Sequence, residues 1–162
     1  METQVSVFEN IWLADDDKDD CELFQDVLKQ ILPSAKITII PNGEELMKLL
    51  TINNKPDILF LDINMPGIDG LDCLVTIRSE RHFSKLPIVI FSSSTQPKHV
   101  DASYGYGANL FYSKPSSLKT LIRGLGNIFK MNWNDPYTIT SDHYINNKFV
   151  AFQTSVEDDK NY

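Results

Sequence analysis

Residues 57–70 read DILFLDINMPGIDG, and this stretch decides the fold. It opens with an apolar run, Ile58–Leu61, whose length suits a β-strand buried on both faces. A single aspartate, Asp62, ends the run, and residues 65–70 are rich in types that interrupt regular structure. The stretch therefore predicts a buried strand, a carboxylate at its carboxyl end and a turn into a helix.

The same order of an apolar run and an amphipathic stretch recurs along the chain. The apolar runs lie at residues 10–14, 35–40, 57–61, 88–91 and 109–113. A helical stretch follows each run, with apolar residues at helical spacing except in the polar stretch near 97–104. Pro33 stops the first helix, and Asn42-Gly43 is typical of a capped start of the second. Five such units predict an α/β fold, a doubly wound five-stranded parallel sheet with helices on both faces.

Composition and charge exclude several classes of protein. The chain has 162 residues, of which 42% are hydrophobic, and this predicts one globular domain. Its net charge of −7 disfavours nucleic acid as the main partner. No apolar run is long enough to cross a membrane, and Cys21 and Cys73 lie far apart. The amino-terminal residues carry Glu2 and Glu9 without a positive charge, so we expect a cytoplasmic protein.

Chemically reactive side chains follow the predicted strands where each one ends. They are, in chain order, Asp15, Asp16 and Asp17, then Asp62, Ser92 and Lys114. Because ligands of a doubly wound sheet bind at the carboxyl ends of its strands, we expect these side chains to converge. Clustered carboxylates favour a divalent cation such as Mg²⁺, and a nearby lysine and hydroxyl can bind phosphoryl oxygens. The pattern predicts phosphoryl transfer to an aspartate.

Each of these motifs has a simpler interpretation when it is taken alone. An aspartate run before a helix commonly caps that helix, and an aspartate after a strand commonly begins a turn. The conjunction of all of them, each at the correct end of its own strand, favours the phosphoryl site.

The conjunction resembles the receiver domain of two-component response regulators. The resemblance rests on ADDD at residues 14–17, LDINMPGIDG at 61–70, IVIFS at 88–92 and GANLFYSKP at 107–115. It implies a flavodoxin-like sheet with strand order 2-1-3-4-5, in a receiver domain over residues 8–130. Residues 131–162 then form a C-terminal extension, at most partly ordered, with a strand predicted at 148–152 and an acidic end at 157–159.

The resemblance implies a catalytic set and a switch. Asp62 matches the phospho-accepting aspartate, Lys114 the family's lysine, and Ser92 the hydroxyl that binds the phosphoryl group. Phe111 matches the aromatic switch position. We expect its ring to rotate inward from the surface when Ser92 moves toward a phosphoryl group on Asp62.

The resemblance also implies a metal site for Mg²⁺. Asp16 and Asp62 bind the ion directly together with the backbone carbonyl of Asn64, whereas Asp15 acts through water.

The function implied is that of a single-domain response regulator. It accepts a phosphoryl group from a sensor histidine kinase or a phosphotransfer protein, and it is not an enzyme beyond its own Mg²⁺-dependent phosphorylation and dephosphorylation. Its output is a contact with a downstream protein, without direct DNA binding or a membrane. A homodimer through helix four, strand five and helix five is also predicted, with Trp133 and Tyr137 extending the contact.

A narrower similarity and two alternatives complete the interpretation. The run DDDKDD at residues 15–20, the segment SSST at 92–95 and the aromatic tail are similar to stand-alone receivers that serve phytochrome kinases. A phosphatase of the haloacid-dehalogenase type also uses a strand-end aspartate and Mg²⁺, but it expects a second acid where Asn64 stands. A receiver-shaped interaction module without phosphorylation is the other alternative.

Overall fold

The computed structural model describes residues 7–154. Its main sheet has five parallel strands in the order β2-β1-β3-β4-β5, which confirms the predicted doubly wound topology. The strands are β1 (Asn10–Ala14), β2 (Lys36–Ile40), β3 (Ile58–Leu61), β4 (Ile88–Ser92) and β5 (Leu110–Ser113). The helices are α1 (Lys18–Ile31), α2 (Gly43–Leu49), α3 (Gly70–Ser79), α4 (Pro97–Gly105), α5 (Leu118–Phe129) and α6 (Pro136–Asp142).

Alternating side chains along the strands build one apolar core on each face of the sheet. Trp12 and Ala14 of β1 lie in the core that α2, α3 and α4 cover. Ile11 and Leu13 of the same strand lie in the core that α1 and α5 cover. Because both faces are covered, β3 is buried at every position, as its unbroken apolar run predicts.

Side-chain caps begin most of the helices just after the strand ends. Asp17, Asn42, Asp69 and Ser117 each accept a hydrogen bond from the backbone N–H three residues further along. Each cap satisfies an N–H group that the first helical turn leaves without a partner. The caps therefore fix where each helix leaves the sheet edge that carries the strand-end side chains.

The C-terminal extension packs on the domain. After α6, a two-stranded hairpin pairs β6 (Tyr144–Ile145) with β7 (Lys148–Phe149), and its turn residues Asn146 and Asn147 have φ of 53° and 63°. The strand predicted at 148–152 ends earlier than expected, at Phe149, and the predicted acidic end at 157–159 lies outside the described residues.

Trp133 does not take the place expected of it at a dimer contact. It is buried, its indole Nε1 donates to the carbonyl of Ile128 at 2.8 Å, and its ring meets Phe8 edge-on. Tyr137, by contrast, is 80% exposed. None of the helices within residues 7–154 has the length and apolarity needed to cross a membrane.

Helix α5 passes unusually close to Tyr112 of β5. A Cβ atom added at Gly124 would lie 2.0 Å from the Tyr112 hydroxyl oxygen and 2.7 Å from the ring carbon that carries it. No side chain larger than that of glycine fits at position 124 unless Tyr112 moves. This is why a glycine interrupts the otherwise apolar face of α5 that packs on the sheet. Gly126, two residues further on, has no atom within 4 Å of such a Cβ among the described residues.

We expect Gly124→Ala to lower the free energy of unfolding by about 1–3 kcal/mol, because the buried Tyr112 side chain must shift. The matched change Gly126→Ala should leave stability unchanged or raise it by up to about 1 kcal/mol, since alanine is the better helix former. Urea unfolding of both variants measures the difference, and equal effects would contradict the close packing of Tyr112 on α5.

Candidate functional site

The reactive side chains meet at the carboxyl edge of the sheet because the ladder hydrogen bonds continue past the strands. The backbone N–H of Asp62 donates to the carbonyl of Ala14 at 2.9 Å. The N–H of Lys114 donates to the carbonyl of Ser92 at 2.8 Å. These bonds hold the first residue after β3 and the first after β5 in register with their neighbouring strands.

Lys114 is the centre of the site. Its Nζ lies 2.8 Å from a carboxylate oxygen of Asp15, 2.8 Å from one of Asp20 and 3.3 Å from one of Asp62. Its side chain is only 10% exposed, and Nζ lies 5.5 Å from the centre of the Phe91 ring. One buried ammonium thus joins the ends of β1 and β3 to the first turn of α1.

Three carboxylates form a cluster suited to a cation. Ligand oxygens of Asp15, Asp16 and Asp62 all lie within 4.8 Å of one another. Asp15 and Asp62 are buried, whereas Asp16 is exposed, so the cluster opens to solvent on one side. With Asp20, four ionised carboxylates and one ammonium leave a formal charge of −3, which a hard divalent cation with oxygen ligands would offset.

The environment perturbs both charged partners. Burial raises the pKa of Asp62 to about 6; the Lys114 ammonium opposes this rise and the Asp15 charge adds to it. Burial by itself lowers the pKa of Lys114, but its hydrogen bonds to Asp15 and Asp20 raise it above the usual value. Lys114 is therefore a permanent cation, and a further positive charge beside Asp62 would favour the ionised form of its carboxyl group.

Gly70 positions Asp62 from behind. The turn at residues 65–70 folds back so that the N–H of Gly70 donates to the carbonyl of Ile63 at 2.8 Å. A Cβ at Gly70 would lie 1.9 Å from the carbonyl oxygen of Asp62. Because that oxygen is backbone, any larger residue would displace Asp62 itself.

Phe111 lies differently from the expected switch, whereas Ser92 lies at the end of β4 as predicted and its role in the switch stays a prediction. Ser92 is fully buried, and its hydroxyl accepts from the N–H of Ser94 at 3.2 Å; the Ser94 hydroxyl in turn bonds Nδ1 of His99. Phe111 is fully buried in the core beneath α4. The surface position from which its ring was expected to rotate is therefore not the one seen.

The predicted role of Asn64 stays untested, whereas Asp20 is a contact that the predicted site lacked. The side chain of Asn64 is exposed, and the role of its backbone carbonyl as a metal ligand stays a prediction. Asp20 carries no predicted role, yet it binds Lys114 as closely as Asp15 does. Its signal in the sequence was its place as the third residue of α1, which puts it in the turn facing the strand ends.

The fold and the strand-end cluster define a class of signalling protein. The chain matches the family model of the response regulator receiver domain over residues 11–125, and it belongs to that family. The chain is also similar in sequence to individual proteins with this domain. It is 29% identical over 119 residues to the response regulator Rcp1 of Synechocystis sp., which covers 70% of this chain and 81% of that protein.

A regulator with further domains matches over the receiver alone. The DNA-binding transcriptional regulator NtrC of Escherichia coli K12 is 34% identical over 107 residues, which cover 65% of this chain but 21% of NtrC. Family membership sets aside the haloacid-dehalogenase alternative.

Two solved structures agree in fold and in sequence. The phosphorylated cyanobacterial phytochrome response regulator RcpA gives a TM-score of 0.70 at 26% identity, over 75% of this chain and 91% of that one. The Mn²⁺-bound form of Rcp1 gives 0.66 at 28% identity, over 74% and 91%. The chain is thus similar to stand-alone regulators of the phytochrome-associated type.

Asp62→Asn should stabilise the metal-free protein at neutral pH. The pKa of Asp62 rises from 3.8 to about 6 on folding, so its favourable contribution is complete below pH 3.8 and is lost as the pH rises through 6. We expect the free energy of unfolding of the variant to exceed that of the wild type by about 1–3 kcal/mol at pH 7.5, and the difference to shrink between pH 6 and pH 4. Urea unfolding in chelator across this range measures it, and a pH-independent difference would contradict the assignment.

Proposed function

We propose that the protein is a response regulator that accepts a phosphoryl group on Asp62 from a histidine kinase or a phosphotransfer protein. It then signals through a protein contact that depends on phosphorylation. The observation that carries the proposal is the placement of one ammonium among three carboxylates. Two of these follow β1 and β3, and the third lies in the first turn of α1. Receiver domains are signalling domains rather than metabolic enzymes, and this chain has the family's full set of reactive residue types.

The transfer uses Asp62 as the nucleophile. One of its carboxylate oxygens forms a bond to phosphorus while the bond from phosphorus to the donor nitrogen breaks. The bonding pair stays on that nitrogen, and because the donor's other ring nitrogen carries a proton, the products are an acyl phosphate on the protein and a neutral imidazole on the donor. Lys114 lies 3.3 Å from the Asp62 carboxylate and can donate to a phosphoryl oxygen beside it. Asp15 and Asp20 hold the ammonium in place during this exchange of partners.

A magnesium ion is the cofactor that the donor set supports. Asp16 and Asp62, with Asp15 behind them and the carbonyl of Asn64, would hold it. An ion held there would supply positive charge to offset that of the phosphoryl oxygens. The exposed position of Asp16 supports this arrangement, because the donor must approach from the solvent side.

Ser92 is proposed to report phosphorylation to the output face. Its hydroxyl accepts from the N–H of Ser94 and still has its own proton to donate, so a phosphoryl oxygen on Asp62 would accept that proton and draw the loop after β4 toward the site. The loop leads directly into α4, which carries the shift outward. The likeness to a phytochrome response regulator makes a light-sensing kinase the first donor to test.

Asp62 should be the sole acceptor of the phosphoryl group. Incubation with acetyl phosphate and Mg²⁺ should add the mass of one phosphoryl group to the wild type and to Asp19→Asn, and none to Asp62→Asn, as read by intact mass spectrometry. Asp19 is an exposed member of the same acidic run and serves as the control. Labelling that persists in Asp62→Asn would contradict the assignment, and no labelling of any form would favour the interaction module.

Asp16→Asn should weaken Mg²⁺ binding while the fold survives. Loss of an outer partner of a metal ligand typically lowers metal affinity by about 10- to 100-fold, so loss of a charged ligand should lower the Mg²⁺ affinity by at least that much. Asp19→Asn removes the same charge but keeps the cluster of Asp15, Asp16 and Asp62 intact, so it should change the Mg²⁺ affinity far less. Calorimetric titration with Mg²⁺ compares the two, and equal losses would reduce the role of Asp16 to general electrostatics.

A further inference from the structure

The outer edge of β5 is occupied by the C-terminal extension of the same chain. The N–H of Phe152 donates to the carbonyl of Phe111 at 2.7 Å, and the N–H of Ser113 donates to the carbonyl of Phe152 at 3.3 Å. Phe152 thereby forms a parallel bridge with Tyr112. An edge strand that would otherwise present unpaired backbone groups is covered over this stretch.

The hydroxyl of Tyr104, on α4, fills the gap in this pairing. It accepts from the N–H of Phe111 at 3.0 Å and donates to the carbonyl of Val150 at 3.0 Å. Tyr104 is buried, and burial raises its pKa to about 12, so the hydroxyl keeps the proton that it donates. One side-chain oxygen therefore satisfies a backbone donor of β5 and a backbone acceptor of the extension.

Aromatic side chains of the extension join both cores. The ring of Phe149 stacks on Tyr104, with 4.8 Å between centroids and 16° between planes, and packs against the core beneath α4. The ring of Phe152 lies 5.4 Å from that of Tyr112 and packs against the opposite core. This alternation is that of a strand, with successive side chains directed to opposite faces.

We propose that residues 148–154 are an internal ligand of the face formed by α4, β5 and α5, and that the Tyr104 hydroxyl is the latch that holds them there. We call these residues the strap. A second copy of the chain can pair with the edge of β5 only when the strap has left it, because both need the same backbone groups of Phe111 and Ser113. The strap therefore opposes the homodimer that the sequence predicts through this face.

The latch is tested by removing one oxygen atom. Tyr104→Phe leaves the ring stack but deprives Phe111 and Val150 of their partner, so hydrogen exchange at residues 110–114 and 148–154 should become about tenfold faster or more. Exchange at β3 should stay unchanged. The matched control is Tyr106→Phe, on an exposed tyrosine two residues further along. Equal exchange in wild type and Tyr104→Phe would overturn the latch.

The competition is tested by the oligomeric state of the full chain. Phe149→Ala removes the stack on Tyr104 and should raise self-association at least about tenfold in sedimentation, while Val75→Ala, on the exposed side of α3, should not. A synthetic peptide of residues 148–154 added in excess should return Phe149→Ala to the monomer. Association no stronger than that of the wild type would overturn the proposal. Neither readout uses a phosphodonor, so its outcome is independent of phosphorylation at Asp62.

Discussion

The ion pairs of Lys114 are the interaction on which the rest of the structure depends. A buried ammonium is tolerated only when carboxylates surround it, and carboxylates at this density are tolerated only when a cation lies among them. Each therefore accounts for the burial of the other, and the sheet brings them together because β1, β3 and β5 end at one edge. The arrangement remains short of positive charge, and that deficit favours a bound cation.

The main body of the fold was predictable because local and global signals agree. Apolar runs of strand length, the helix start at Asn42-Gly43 and the stop at Pro33 all indicate the same five units. Helix α6 was missed because its sequence, PYTITSD, is rich in residues of low helix propensity and has no amphipathic repeat. Asp135-Pro136 was its one local signal, since proline favours the first helical position.

The site was predictable as far as chain order determines it. Asp15, Asp62 and Lys114 each follow a strand directly, so the topology alone brings them together. Asp20 was not assigned, because its contact depends on how α1 leaves the sheet rather than on a strand end. The buried position of Phe111 and the coverage of β5 could not be foreseen either, since both depend on tertiary packing of a tail without a repeating pattern.

The contact between Tyr112 and Gly124 has a consequence for the evolution of this chain. The space for a methyl group at position 124 is taken by the tyrosine side chain, so the two positions are coupled rather than independent. A lineage that first replaced Tyr112 with a shorter apolar residue would leave only the Thr154 hydroxyl oxygen, at 2.9 Å, to shift before alanine is accepted at 124, whereas the reverse order passes through the more crowded intermediate. The order in which substitutions become accessible at positions 112 and 124 therefore depends on this one helix–strand contact.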